Sequence, residues 1–149
     1  MSRLLKLYIT TGLVTAVTVG LGLAAYHFFW FWHFWWFDVL LHLLAGLSIG
    51  LISLSVYVLV NRLKGDNLRD LKYILSVTII AVAVTGIIWE LLEFQIDQSW
   101  ATRISIKQLV VLQIGFWDTI GDLVWDLLGA VLAGLIFYHQ SPRLNRLDN

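Results

Sequence analysis

Polar and apolar positions alternate along the chain in long blocks. Four runs of apolar and small residues, at 7–26, 38–60, 73–96 and 118–138, are separated by polar or aromatic stretches. Each run has roughly 20 residues, the length an α-helix needs to cross a hydrocarbon core of roughly 30 Å. The pattern predicts an all-α integral membrane protein, a single membrane domain over 1–149 built as a four transmembrane helix bundle. Arg3 and Lys6 precede the first run, but the run exceeds the apolar stretch of a signal peptide and no A-x-A site follows, so a retained span is expected. Residues 27–37, HFFWFWHFWWF, hold four tryptophans and read as an interfacial aromatic turn. Residues 97–117 form the longest connection, an outer loop.

Inside the spans the polar residues are ordered too. In WDTIGDLVWDLLGA, Asp118, Asp122 and Asp126 recur every four residues and share one helix face, which continues to Ala130 and Gly134. Asp38, His42, Gly46 and Gly50 repeat the arrangement in the second span, polar first and small afterwards; the glycines make a G-x-x-x-G pair that permits close helix contact. The third span is uncharged until Glu90, with Glu93 one turn later and Gly86 one turn before. Asp38 and Asp118 open their spans while Glu90 and Glu93 close theirs, so alternating span directions bring all these carboxylates to the same side.

Composition sharpens the class. The 149 residues are 59% hydrophobic and 13% charged, against about 25% charged in a soluble domain. Cysteine is absent, which excludes disulfides, thiolate metal sites and cysteine nucleophiles. Net charge is zero and no basic tract suggests nucleic acid. The two signs are nonetheless segregated. Four spans place both termini and the central loop on one side, which carries eight of the ten basic residues and is therefore expected to be cytoplasmic. The opposite side holds seven of the ten acidic residues and all eight tryptophans.

Asp38, His42, Glu90, Glu93, Asp118, Asp122 and Asp126 thus offer six carboxylates and an imidazole to one outer pocket. A charge at bilayer depth costs roughly 2.5–3.5 kcal/mol on insertion scales, so the cluster needs a purpose. Crowded carboxylates must be protonated, paired or bound to cations. Hard oxygen ligands with one histidine suit a divalent ion, Mg²⁺, Mn²⁺, Fe²⁺ or Zn²⁺. A di-iron bundle would carry Glu-x-x-His on two helices, and this chain has none. The reading that follows is a metal-dependent hydrolase or transferase on a lipid or cell-envelope substrate, with Glu90, Asp122 and His42 as candidate catalytic groups. All seven residues are candidate ligands; Asp126, about two turns below Asp118, is the member expected to be protonated or structural. Arg103 and Lys107 in the outer loop are candidates to grip a head-group phosphate. Three other readings stand beside this one: a carboxyl–histidine knot that locks the bundle, a proton- or cation-coupled transporter or channel, and an accessory subunit meeting a membrane partner or a second copy. A channel would continue its polar lining below Asp126, where the stripes instead turn to Gly46, Gly50, Ala130 and Gly134.

The chain resembles the YjdF-like family of small bacterial inner-membrane proteins, similar in turn to the VanZ-like family. The resemblance covers roughly 38–134 and rests on Asp38-x-x-x-His42, Trp89-Glu90-x-x-Glu93 and Trp117-Asp118-Thr119-x-x-Asp122 with Gly129-Ala130. It implies a multi-span protein of the bacterial inner membrane with a polar site, and no particular reaction. VanZ-like proteins tend to have Glu-x-x-Gln where this chain has Glu90-x-x-Glu93, and Asn near Asp126, so the present site is the more acidic one.

Overall fold

The computed structural model describes residues 3–64, 71–101 and 115–144. They form five helices: α1 (Arg3–His27), α2 (Trp30–His33), α3 (Trp36–Lys64), α4 (Leu71–Ala101) and α5 (Phe116–Leu144). All but the single-turn α2 are long and apolar enough to cross a membrane, over Leu4–His27, Trp36–Asn61, Leu71–Ile96 and Phe116–His139. The protein is an all-α integral membrane protein, a bundle of four transmembrane helices.

The helix ends follow local chemistry. Gly115 has φ +133, a conformation only glycine adopts freely, and its carbonyl accepts the amides of Asp118 at 3.0 Å and Thr119 at 3.2 Å, which starts α5. The aromatic stretch folds as α2 preceded by Phe29 in the left-handed region at φ 57. α4 runs to Ala101, five residues beyond the expected end at 96, because no glycine or proline interrupts the sequence there. The rest of the expected outer loop up to residue 114 lies outside the described residues.

Bilayer-embedded helices gain little from hydrophobic burial against one another and associate through close packing and interhelical hydrogen bonds. Both devices are present. The central pair is α3 with α5, two parallel helices that meet along Gly46 and Gly50 on one side and Gly129, Ala130 and Ala133 on the other. The approach is backbone to backbone: a Cβ on Gly46 would strike the Asp126 carbonyl, and one on Gly129 the Leu43 carbonyl. At Gly50 a Cβ would lie 2.7 Å from that of Ala133. α4 runs antiparallel to α5, with Gly86 against Leu123 and Asp126 and Gly134 against Leu75 and Thr78. α1 lies antiparallel along α3, joined by hydroxyl pairs Thr11–Ser55 at 3.1 Å and Thr18–Ser48 at 2.9 Å. An apolar cluster of Leu7, Leu51, Leu54, Tyr57, Val58, Ile74, Ala133 and Phe137 fills the end away from the carboxylates. Leu13, Leu23, Ile80, Val84 and Leu132 point outward, as lipid-facing positions should.

The stripe on α5 does not stay on one interface. Four residues advance a helix by about 400°, so each step drifts by about 40°. Asp126 and Ala130 therefore meet α3, while Gly134 has turned towards α4.

Candidate functional site

His42 stands at the centre of the acidic end. α3 presents it one turn after Asp38 and one turn before Gly46, whose missing side chain lets the α5 backbone at Asp126 press against α3. That contact sets the register in which α5 delivers Asp122 and Asp126 to opposite edges of the imidazole. Nε2 lies 3.9 Å from Asp38 Oδ1 and 3.8 Å from Asp122 Oδ1. Nδ1 faces Asp126 Oδ1 at 3.5 Å. His42, Asp122 and Asp126 are buried, whereas the Asp38 side chain keeps 38% of its exposure and opens the site towards the starts of α3 and α5.

α4 closes the other flank with Glu90 and Glu93, both buried. Glu90 is within electrostatic range of Asp38, Asp122 and Glu93; Asp118 is within range of Asp38 and Asp122. Glu93 is also within electrostatic range of His42 and accepts a hydrogen bond from Trp89 Nε1–H at 2.7 Å. Three helices thus bring six carboxylates and one histidine into mutual interaction. The distances around His42 are longer than the 2.7–2.9 Å of a formed charge-assisted hydrogen bond, so the groups are gathered without being tied directly together.

Asp38, His42 and Asp122 each offer a ligand atom within 4.8 Å of the others, close enough for one ion to be held among them. Bonds of about 2.0–2.2 Å in a tetrahedral site put ligand atoms about 3.4 Å apart. The two His42 separations of 3.8 and 3.9 Å exceed that by about half an ångström, a gap small side-chain rotations close. Two oxygens and one imidazole nitrogen suit Zn²⁺, Mn²⁺ or Fe²⁺ as donors.

With this geometry in view, a match to a known family acquires weight. The chain belongs to the family described as "Predicted membrane protein (DUF2238)", whose model matches residues 1–143. This is the family to which the YjdF-like motifs point. No curated protein and no solved structure matches the chain.

The motifs of that resemblance converge in space, since Asp38 and His42, Glu90 and Glu93, and Asp118 and Asp122 lie within electrostatic range of one another at one end of the bundle. Asp126 stands apart from the group of three potential ligands, on the Nδ1 edge of His42. Arg103 and Lys107 lie outside the described residues. His33 uses its Nδ1–H locally, donating to the Phe29 carbonyl at 2.9 Å.

The sequence reading missed two features. The Trp89–Glu93 hydrogen bond was signalled only by its i, i+4 spacing, and Trp89 reads more readily as packing. The Thr–Ser pairs between α1 and α3 carried no signal, because lone hydroxyl residues in apolar spans usually bond their own helix carbonyls, as Thr18 does to Val14 and Ser55 to Leu51.

Proposed function

We propose that the acidic pocket binds a divalent metal ion and that the protein is a metal-dependent hydrolase or transferase acting on a lipid or cell-envelope substrate at the outer face of the bacterial inner membrane. The observation that carries this reading is the convergence of Asp38 Oδ1, His42 Nε2 and Asp122 Oδ1, from two different helices, on one ion-sized space. Keeping those groups at membrane depth is costly, and a cation offsets their mutual repulsion. When bound, such an ion polarises a phosphoryl or carbonyl oxygen and lowers the pKa of water towards neutrality. Asp38, His42 and Asp122 would hold it. Glu90 would take the proton of a water or substrate hydroxyl, and Glu93 beside it accepts the hydrogen bond of Trp89. Asp38 and Asp118 stand at the open mouth, flanked by exposed Trp35 and Trp117, whose rings suit the head-group level of a bilayer. Arg103 and Lys107 serve the substrate phosphate. The excess of basic residues at the termini and central loop supports an orientation with both termini in the cytoplasm and the acidic cluster on the opposite face.

Other readings find less support. A hydrogen-bonded knot would hold His42 to the carboxylates on both of its edges at bonding distance, and on the Nε2 edge Asp38 and Asp122 stand 3.9 and 3.8 Å away. A proton or cation path along the central seam would have to pass Gly46, Gly50, Gly129, Ala130 and Ala133, which are packed backbone to backbone. The relation to VanZ-like proteins rests on shared motifs and adds no reaction.

Elemental analysis of the protein purified in detergent tests the reading. The expected result is one or two equivalents of a divalent metal in the wild type, lost in Asp122→Asn and His42→Gln. A wild-type protein that retains no metal after equilibration with Zn²⁺, Mn²⁺, Fe²⁺ and Mg²⁺ overturns it.

A further inference from the structure

Asp126 is a deeply buried member of the cluster to which the metal reading gives no task. It is 4% exposed, and its Oδ1 has no hydrogen-bond partner even though it is aimed at the histidine. A buried, unsatisfied carboxylate oxygen costs free energy, so its position calls for a reason. Its backbone is fixed: the carbonyl sits where a Gly46 side chain would be, which pins this turn of α5 against the turn of α3 that follows His42. Its other oxygen, Oδ2, rests in the space left open by Gly86 of α4. Two glycines on two helices therefore make room for this carboxylate and point it at Nδ1.

The two edges of the imidazole are not equivalent. The Nε2 edge faces two carboxylate oxygens at 3.8 and 3.9 Å, the spacing of co-ligands; the Nδ1 edge faces one oxygen at 3.5 Å. That last distance is a few tenths of an ångström beyond the usual 2.7–3.2 Å of an N–H···O bond, a gap that a small rotation of either side chain closes.

We propose that Asp126 is a positioning residue: it accepts the Nδ1–H of His42, fixes the ring and its tautomer, and so turns Nε2 towards Asp38 and Asp122 as a ligand. The metal half of this inference rests on the proposed function; the orientation of His42 does not. Carboxylates that hold metal-bound histidines in this manner raise metal affinity by 10- to 100-fold.

The test combines two measurements on the full-length protein in detergent. Histidine-selective ¹⁵N labelling gives a spectrum of four residues, in which His42 is assigned from His42→Gln. In the metal-free wild type, the expected result is a slowly exchanging, low-field Nδ1–H proton on His42, shifted upfield or lost in Asp126→Asn. Zinc titration is expected to give a 10- to 100-fold weaker affinity in Asp126→Asn and no binding in Asp122→Asn. The inference is overturned if wild-type His42 lacks that Nδ1 proton, a result that needs no variant to fold. It is also overturned if Asp126→Asn leaves both the proton and the zinc affinity unchanged. A wild type that shows the Nδ1 proton and binds no metal overturns the proposed function and leaves the orienting role of Asp126 standing.

Discussion

The carboxylate of Asp126 occupies the space that a side chain at Gly86 would need. A Cβ on Gly86 would lie 2.9 Å from Asp126 Oδ2 and 2.9 Å from Leu123 Cδ2. Gly86→Ala is therefore expected to displace two mobile side-chain ends without forcing the backbones apart, at a cost of about 1 kcal/mol. Thermal unfolding in detergent should show a small decrease, and zinc affinity a larger proportional one, because the displaced group is the one facing His42. A variant that loses stability while binding zinc as the wild type does would separate Gly86 from the site.

Gly46→Ala is expected to behave differently. Its Cβ would meet the Asp126 carbonyl, which belongs to a helix backbone and cannot rotate away. Separating α3 from α5 should cost at or beyond the upper end of the about 1–3 kcal/mol typical of overpacking. Gly129→Ala, against the Leu43 carbonyl, should match it. Gly12→Ala and Gly20→Ala, on α1 with nothing within 4 Å, should be neutral or stabilising by up to about 1 kcal/mol. Melting temperatures of the four variants check the ranking, and parity between Gly46→Ala and Gly12→Ala would contradict the packing described.

Metal removal should destabilise the wild type. A ligand present at a hundred times its Kd contributes about 2.7 kcal/mol to the folded state. Chelator treatment is expected to lower the melting temperature of the wild-type protein and leave Asp122→Asn unmoved. Equal responses in both would point to a chelator effect elsewhere.

The hydroxyl pairs that join α1 to α3 should be worth little individually. Interhelical hydrogen bonds in membranes average about 0.6 kcal/mol in double-mutant cycles. Thr18→Val and Ser48→Ala, made singly and together, are expected to show a coupling of that size by reversible unfolding. A coupling near zero would mean that the 2.9 Å contact is incidental to holding α1.

The spans were legible because lipid imposes a length and a composition, and the uncharged runs 43–60 and 127–138 meet the second despite the acidic residues before them. The convergence of the carboxylates was legible for a related reason. Asp38 and Asp122 stand near the starts of their spans and Glu90 near the end of the intervening one, and the antiparallel run of that span brings all three to equal depth. What periodicity could not supply was azimuth. Asp118, Asp122 and Asp126 look equivalent at a spacing of four, yet they end respectively at the mouth, on the Nε2 edge and on the Nδ1 edge of His42. That division depends on where the Gly46–Gly129 crossing fixes the rotation of α5, a tertiary fact that no stripe encodes. Gly86 illustrates the same limit: one turn before Glu90 it reads as a neighbour of that residue, and its use is to admit Asp126 from another helix.

The pairing of α3 with α5 also has a consequence for biogenesis. Asp38 and His42 emerge from the ribosome roughly 80 residues ahead of Asp122, a delay of about 4–16 s at 5–20 residues per second. Throughout that interval the second span must reside in the translocon or bilayer with its imidazole lacking the carboxylates that the last helix supplies. Insertion of this chain is thus tied to the completion of its synthesis, and premature termination before residue 116 should yield a product marked for degradation by the membrane's quality-control proteases.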